Sequence, residues 1–137
     1  DNARTPMQWD GSLNAGFTTG TPWLKVNSRY SEINVAKALQ EPDSIFYYYQ
    51  SLIKLRHSYD VFTDGRYELL MPDHPHLYVY TRENESEKLL VAANLSENTV
   101  SFDQPDDNWK LLLGNYEDTG TSTLFRPYEA GIYYLEK

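Results

Sequence analysis

Apolar and polar positions change rhythm twice along this chain. Residues 1–30 follow neither a period of 2 nor one of 3.6 and are dense in Gly, Pro, Asn, Thr and Trp, so the pattern predicts loop. A structureless stretch of ~30 residues is uncommon inside a compact domain unless it serves a function. This one carries Trp9, Phe17 and Trp23, large side chains that favour burial. An irregular aromatic arm of this kind needs another surface to lie on.

From residue 35 a helical rhythm takes over. A short helix is predicted over 35–40, with Asn34 as its N-cap and Pro42 ending it. A stronger helix follows over 44–57, capped by Asp43. Ile45, Tyr48, Leu52 and Leu55, and beside them Phe46, Tyr49 and Ile53, recur at spacings of three and four and make a broad apolar face. Lys54, Arg56 and His57 sit in its last turn, where the helix dipole favours positive charge. So wide a face suits packing against a sheet or barrel better than a coiled-coil seam.

After Asp64-Gly65 the period falls to 2. Short β-type runs are predicted at 66–70, 77–82, 88–93, 99–102, 109–113, 121–125 and 130–135, separated by turn-rich stretches. Seven short strands at this spacing read as an antiparallel sandwich of about 70 residues, with the boundary between arm and β domain near 60–65. The fold class is therefore mostly β: a C-terminal antiparallel β-sandwich preceded by an irregular arm and a helix.

Composition narrows the function classes. The 137 residues suffice for one domain with an arm. Their 40% apolar and 15% aromatic content excludes a disordered segment. The twelve Tyr and three Trp suit strands, half-polar interfaces and sugar-stacking surfaces, or simply the core of a small β domain. A net charge of −8 argues against nucleic acid or an anionic membrane as partner. The chain holds no cysteine, which fits a reducing cytoplasm, and no apolar run approaches the ~20 residues of a membrane span. Asn-x-Ser triplets at Asn84 and Asn94 are short enough to arise by chance and are assigned no role.

The search for chemistry turns up little in the β region. Glu83, Glu85 and Glu87 form one acidic turn cluster and Asp106 and Asp107 another; both read as solvated surface. His74 and His76 flank a proline without a third ligand, so no metal is expected, and no motif points to a cofactor. The arm differs. Arg4 stands among Asn2, Thr5, Gln8 and Trp9, guanidinium, amide and indole groups suited to a hydroxyl-rich ligand. Arg4 could equally pair with a structural acid, and Trp9 could fill a core; spacing alone leaves both readings open.

The opening run Asp1-Asn2-Ala3-Arg4-Thr5-Pro6-Met7-Gln8-Trp9-Asp10, then Ala15-Gly16-Phe17-Thr18-Thr19-Gly20 and Pro22-Trp23, closely resembles a segment of the oligo-1,6-glucosidase-like enzymes of glycoside hydrolase family 13. The likeness continues through Glu32-Ile33-Asn34-Val35, the run from Asp43 to Gln50, Leu89-Leu90-Val91, Asn115-Tyr116 and Arg126-Pro127-Tyr128-Glu129-Ala130. It thus spans essentially the whole chain in order.

That resemblance implies the C-terminal piece of an α-glucosidase. Residues 1–63 would be the end of the (β/α)8 catalytic barrel, with an active-site loop and the final helix, and 64–137 the β-sandwich called domain C. The partner would be the rest of the barrel in the same polypeptide, and the substrate of the whole enzyme a small oligosaccharide. In the family an Asp nucleophile, a Glu acid/base and a second Asp come from earlier barrel strands, and the motifs carrying them do not occur in this chain. No residue here is therefore expected to be catalytic; Arg4 matches an arginine that binds the non-reducing glucose. The runs Thr18–Trp23 and Gly114-Asn115-Tyr116-Glu117 lean slightly towards trehalose-6-phosphate hydrolases. A different class of function is a binding module gripping glucan through Tyr78, Tyr80, Tyr133 and Tyr134 on sheet faces that are either exposed or covered by the barrel.

Overall fold

The computed structural model describes residues 4–103, 108–120 and 123–137. They fall into two compact units, Asp1–Gln50 and Ser51–Lys137.

The first unit is irregular, as the absence of a period predicts, and backbone hydrogen bonds hold it. A tight turn at Leu13–Gly16 runs through three successive left-handed residues, Asn14 (φ 54°), Ala15 (φ 60°) and Gly16 (φ 66°). The carbonyl of the fully buried Ala15 accepts from the N–H groups of Trp9 and Asp10 at 2.9 and 3.2 Å. A Cβ on Gly16 would stand 2.7 Å from the Asp10 carboxylate, so only glycine suits that place. The helix α1 is a single turn, Val35–Ala38. Its first two N–H groups donate to the carbonyls of Gln8 and Trp9, both at 2.9 Å, while Asn34 caps it by accepting from Lys37 N at 2.9 Å. The expected continuation to residue 40 survives as a turn, Gln40 N donating to Lys37 O.

The helix α2 covers Ile45–Ser58 and bridges the two units in sequence. Ser44, not Asp43, directly precedes it, and the Ser44 hydroxyl donates to Ala38 O at 2.7 Å. The broad apolar face divides. Leu52 and Leu55 pack into the second unit's core, whereas Ile45, Phe46, Tyr49 and Ile53 remain exposed.

The second unit is an antiparallel sandwich with seven strands among the described residues. Strands β1 (Arg66–Leu69), β2 (Leu77–Glu83), β3 (Glu87–Asn94), β4 (Val100–Ser101), β5 (Lys110–Gly114), β6 (Leu124–Phe125) and β7 (Ala130–Glu136) follow the predicted order. Thr121 and Ser122, which the pattern assigns to the sixth strand, lie outside the described residues. The large sheet runs β1-β2-β3-β7-β5, and β4 pairs with β6. Alternation along β3 gives both faces of the large sheet a core. Leu90 and Ala92 pack with Leu77, Val79, Phe102, Phe125 and Tyr133. Leu89 and Val91 pack on the opposite face with Ile132, Val61, Tyr59 and Tyr134.

Val61 belongs to a one-turn helix α3, Val61–Asp64, which periodicity did not predict. Its carbonyl end is satisfied from the sheet: the Arg82 guanidinium donates to Val61 O (3.1 Å), Thr63 O (3.2 Å) and Gly65 O (2.8 Å). A Cβ at Gly65 would come within 2.5 Å of Val61 O, so glycine allows this close approach.

Asn94 is a buried polar side chain of the sandwich, only 1% exposed. Its amide donates to Asn98 O (2.6 Å) and Arg126 O (2.8 Å), and its Oδ1 accepts from Ser96 N and Oγ. Asn84 shapes the β2–β3 turn, its Oδ1 accepting from Ser86 N and Glu87 N. Both Asn-x-Ser asparagines are therefore structural.

Candidate functional site

Within the arm, Arg4 and Thr5 line an open cavity of about 410 Å3 together with Leu24, Lys25, Val26, Asn27 and Ser28. Two cations, two hydroxyls and an amide from the described residues thus border one depression. Chain segments some 20 residues apart build it, so sequence spacing could find the Arg4 end and not the Lys25–Ser28 end. A turn in which Asn27 Oδ1 accepts from Arg29 N at 2.9 Å shapes the far rim. Such a border can hydrogen-bond several hydroxyls at once or meet a carboxylate.

Of the other arm residues singled out in the sequence, Gln8 has a structural task, its Nε2 donating to Ile33 O at 2.6 Å. Trp9 leaves about half its surface in water. Asn2 lies outside the described residues. Asp10 ties the turn beside it: the Ser12 hydroxyl, then the Ser12 N–H, hold its carboxyl below the usual range.

In the acidic turn cluster of the β unit Glu83 and Glu87 are engaged, which corrects their reading as solvated surface, whereas Glu85 is exposed. Glu83 pairs with Lys137 at 2.6 Å and Lys88 at 2.9 Å, and these bonds hold its pKa down at about 2. Glu87 accepts from Val61 N at 3.2 Å and from the Tyr134 hydroxyl at 3.2 Å. Burial, aided by the Glu87 charge, pushes that phenol's pKa up. Glu85 lines a polar cavity with Ser58, Asp60 and Asp64; Asp106 and Asp107 lie outside the described residues. His74 is a turn residue, its Nδ1 accepting from Leu77 N at 2.8 Å and His76 N at 3.2 Å. Among the described residues no group of three or more His, Cys, Asp or Glu could hold a metal ion.

The four tyrosines of the sheet separate. Tyr133 is buried in the core, and Tyr134 packs on Tyr59 with ring centroids 4.7 Å apart. Tyr78 is exposed, Tyr80 is half-buried between Tyr67 and Tyr78, and the Tyr67 and Tyr78 hydroxyls share a hydrogen bond of 3.0 Å. Packing therefore takes Tyr133 and Tyr134, two of the four rings that the binding-module alternative would use.

A third arrangement, which sequence reasoning did not find, surrounds Arg126. Its Nε and Nη2 make a two-pronged bond to the buried Glu129 (2.9 and 3.0 Å), Nη1 reaches Asp118 at 2.6 Å, and its guanidinium carbon lies 3.9 Å from the Tyr116 ring centroid. Burial alone would push the Glu129 carboxyl up; the Arg126 hydrogen bonds and charge outweigh it and hold the pKa down. The two carboxylates push the pKa of Arg126 up.

Comparison with known proteins identifies the family. Residues 1–65 match the family description "Alpha amylase, catalytic domain" and residues 67–128 match "Maltogenic Amylase, C-terminal domain". An oligo-1,6-glucosidase of Heyndrickxia coagulans is 98% identical over 137 residues, all of this chain and 25% of that protein. A trehalose-6-phosphate hydrolase of Bacillus subtilis is 44% identical over all of this chain and 26% of that protein. The crystal structure of Bacillus licheniformis trehalose-6-phosphate hydrolase superposes with a TM-score of 0.91 at 44% identity, covering 100% of this chain and 26% of that one. The chain belongs to the α-amylase family, glycoside hydrolase family 13, and spans about a quarter of the length of the relatives it matches. Among the described residues no helix is long and apolar enough to cross a membrane.

Proposed function

We propose that this chain is the C-terminal part of a retaining, exo-acting α-glucosidase that hydrolyses isomalto-oligosaccharide-type bonds at the non-reducing end. The observation that carries the proposal is the 98% identity to an oligo-1,6-glucosidase along the full chain. Residues 1–63 complete the catalytic barrel and 64–137 form domain C, a division supported by the two family matches meeting at 65–67. The chain's partner is the remainder of that barrel, and the exposed Ile45, Phe46, Tyr49 and Ile53 of α2 fit such a neighbour. The catalytic carboxylates come from the barrel, so the chain alone is structural and inactive. The enzyme works in the bacterial cytoplasm, in keeping with a cysteine-free chain.

Arg4 serves substrate binding. It holds a sugar hydroxyl and a pocket carboxylate, fixing the non-reducing glucose; its place in the lining of an open cavity with Thr5, Lys25, Asn27 and Ser28 supports this role. In the full-length enzyme Arg4→Ala lowers kcat/KM on isomaltose by about 10- to 100-fold, the scale of a lost charge-assisted bond. Near wild-type kinetics would discard the role. On p-nitrophenyl α-glucoside the 137-residue chain alone gives no turnover, and turnover that survives rigorous purification would refute its inactivity.

A second reading, trehalose-6-phosphate hydrolase, is favoured by the TM-score of 0.91 to such an enzyme, at less than half the sequence identity of the first. The ratio of kcat/KM for isomaltose to that for trehalose 6-phosphate in the full-length enzyme separates the two.

A further inference from the structure

Likeness and packing divide the chain at different places. By likeness residues 51–65 close the catalytic-domain match, which ends at residue 65. By packing they belong to the sandwich, whose compact unit starts at Ser51. The side chains show why. Leu52 and Leu55 of α2, Tyr59, and Val61 and Phe62 of α3 pack with Leu89, Val91 and Ile132 on one face of the large sheet. Val61 and Leu89 are both fully withdrawn from water. Removing the segment would open that apolar face to solvent.

Two charged side chains of the sheet grip α3 as well. At its start Val61 N donates to Glu87 Oε2 at 3.2 Å, while the Tyr134 hydroxyl donates to Glu87 Oε1. At its end the Arg82 guanidinium donates to the carbonyls of Val61, Thr63 and Gly65. A one-turn helix has few bonds of its own, so its shape depends on these partners. The bonds reach across 17 to 26 residues of sequence, and the segment is seated only once the sheet has formed.

We propose that residues 51–65 are a strap by which the folded sandwich holds the end of the barrel's last helix, so that loosening the sandwich inactivates the enzyme. Helix α2 runs unbroken over Ile45–Ser58, beginning in the first unit and ending in the strap. A helix end released from its packing frays, because so short a helix is not stable in water by itself. The stability of the sandwich therefore limits the temperature up to which that helix stays whole. The link to activity rests on the glucosidase reading above; the strap itself rests on the packing of residues 51–65.

The test uses the full-length enzyme and reads two quantities, amide exchange over residues 52–65 and the temperature at which isomaltose hydrolysis is lost. Phe125→Leu loosens the sandwich from the core of the opposite sheet face, where Phe125 packs on Phe102. It is expected to quicken exchange in 52–65 at least about tenfold, together with β2 and β3. The inactivation midpoint falls with it, while kcat/KM at room temperature stays unchanged. Arg82→Ala, which frees the carbonyl end of α3 and leaves both cores intact, acts in the same direction. Arg66→Ala, which breaks an exposed pair with Glu68, moves neither quantity. If Phe125→Leu quickens β2 and β3 but leaves residues 52–65 or the inactivation midpoint at the wild-type value, the strap is overturned. Isomaltose turnover with exchange in 52–65 independent of the sandwich removes the strap alone. Coupled exchange in an enzyme that does not turn over isomaltose removes the glucosidase reading alone.

Discussion

In the arm, order comes from main-chain polar groups: Trp9 and Asp10 bond to Ala15 O, and the first N–H groups of α1 find the carbonyls of Gln8 and Trp9. In the β unit it comes from side chains packed on both faces of one sheet, with Leu89, Phe125 and Val79 almost wholly withdrawn from water. Net contributions of about 1 kcal/mol per internal hydrogen bond can shape a loop but hardly hold it cooperatively. Burying one Leu or Phe contributes roughly 1.5–3 kcal/mol. The arm meanwhile leaves Leu13 and Phe17 exposed and Trp23 87% exposed. The contrast teaches that the arm has its shape without a core of its own, whereas the β unit has both.

The strongest way to break this contrast is to empty the sandwich core. Leu89→Ala removes a fully buried side chain that packs with Val61 and Ile132, and is expected to cost about 3 kcal/mol in urea unfolding of the chain. Loss of under about 1 kcal/mol would mean that the core is not what holds the unit.

Lowering the pH should act next, and again through the β unit. Glu83, Asp118 and Glu129 all have folded-state pKa values below their ordinary ones. The folded protein therefore binds fewer protons than the unfolded chain between those values. Its stability is complete above the ordinary carboxylate range and falls as pH drops through about 4.5 towards the folded values, near 2 for Glu83. Urea midpoints measured between about pH 6 and about pH 3 should fall, and Arg126→Gln should flatten the slope. An unchanged slope in Arg126→Gln would show that Glu129 and Asp118 contribute nothing to it.

The smallest effect belongs to the arm. Gly16→Ala places a methyl group against Asp10 at a left-handed position, and is expected to loosen the turn locally by about 1 kcal/mol. Faster amide exchange at Trp9 and Asp10, with an unmoved urea midpoint for the β strands, is the expected signature. Equal loss in both would erase the distinction between the two units.

Sequence patterns were most legible where a local rule decides the outcome. Seven alternating runs became seven strands, and Asn34 caps α1 because its side chain reaches a neighbour three residues on. They were least legible where distant groups decide. The helix α3 has one turn and depends on Arg82, about 20 residues away, for its carbonyls. Tyr133 and Tyr134 look alike in a list of aromatics, and only the pairing of β7 with β3 shows which face each one takes. The exposed Tyr128 gave no signal, since a positive φ leaves no mark in a Tyr codon. Arg4 was visible through family likeness, while Lys25 and Asn27 joined it only once the chain had folded back.

Asn94 has a consequence for how this protein can be made. Its triplet Asn94-Leu95-Ser96 is an acceptor for N-linked glycosylation, which acts on nascent, still-unfolded chains in a eukaryotic secretory pathway. The amide nitrogen that would carry the glycan is the one that bonds to Asn98 and Arg126 in the interior. A glycan there and the folded sandwich exclude each other. In secretion from yeast or insect cells, molecules glycosylated at Asn94 would therefore fail to fold, and replacing Ser96 by alanine would remove that fraction.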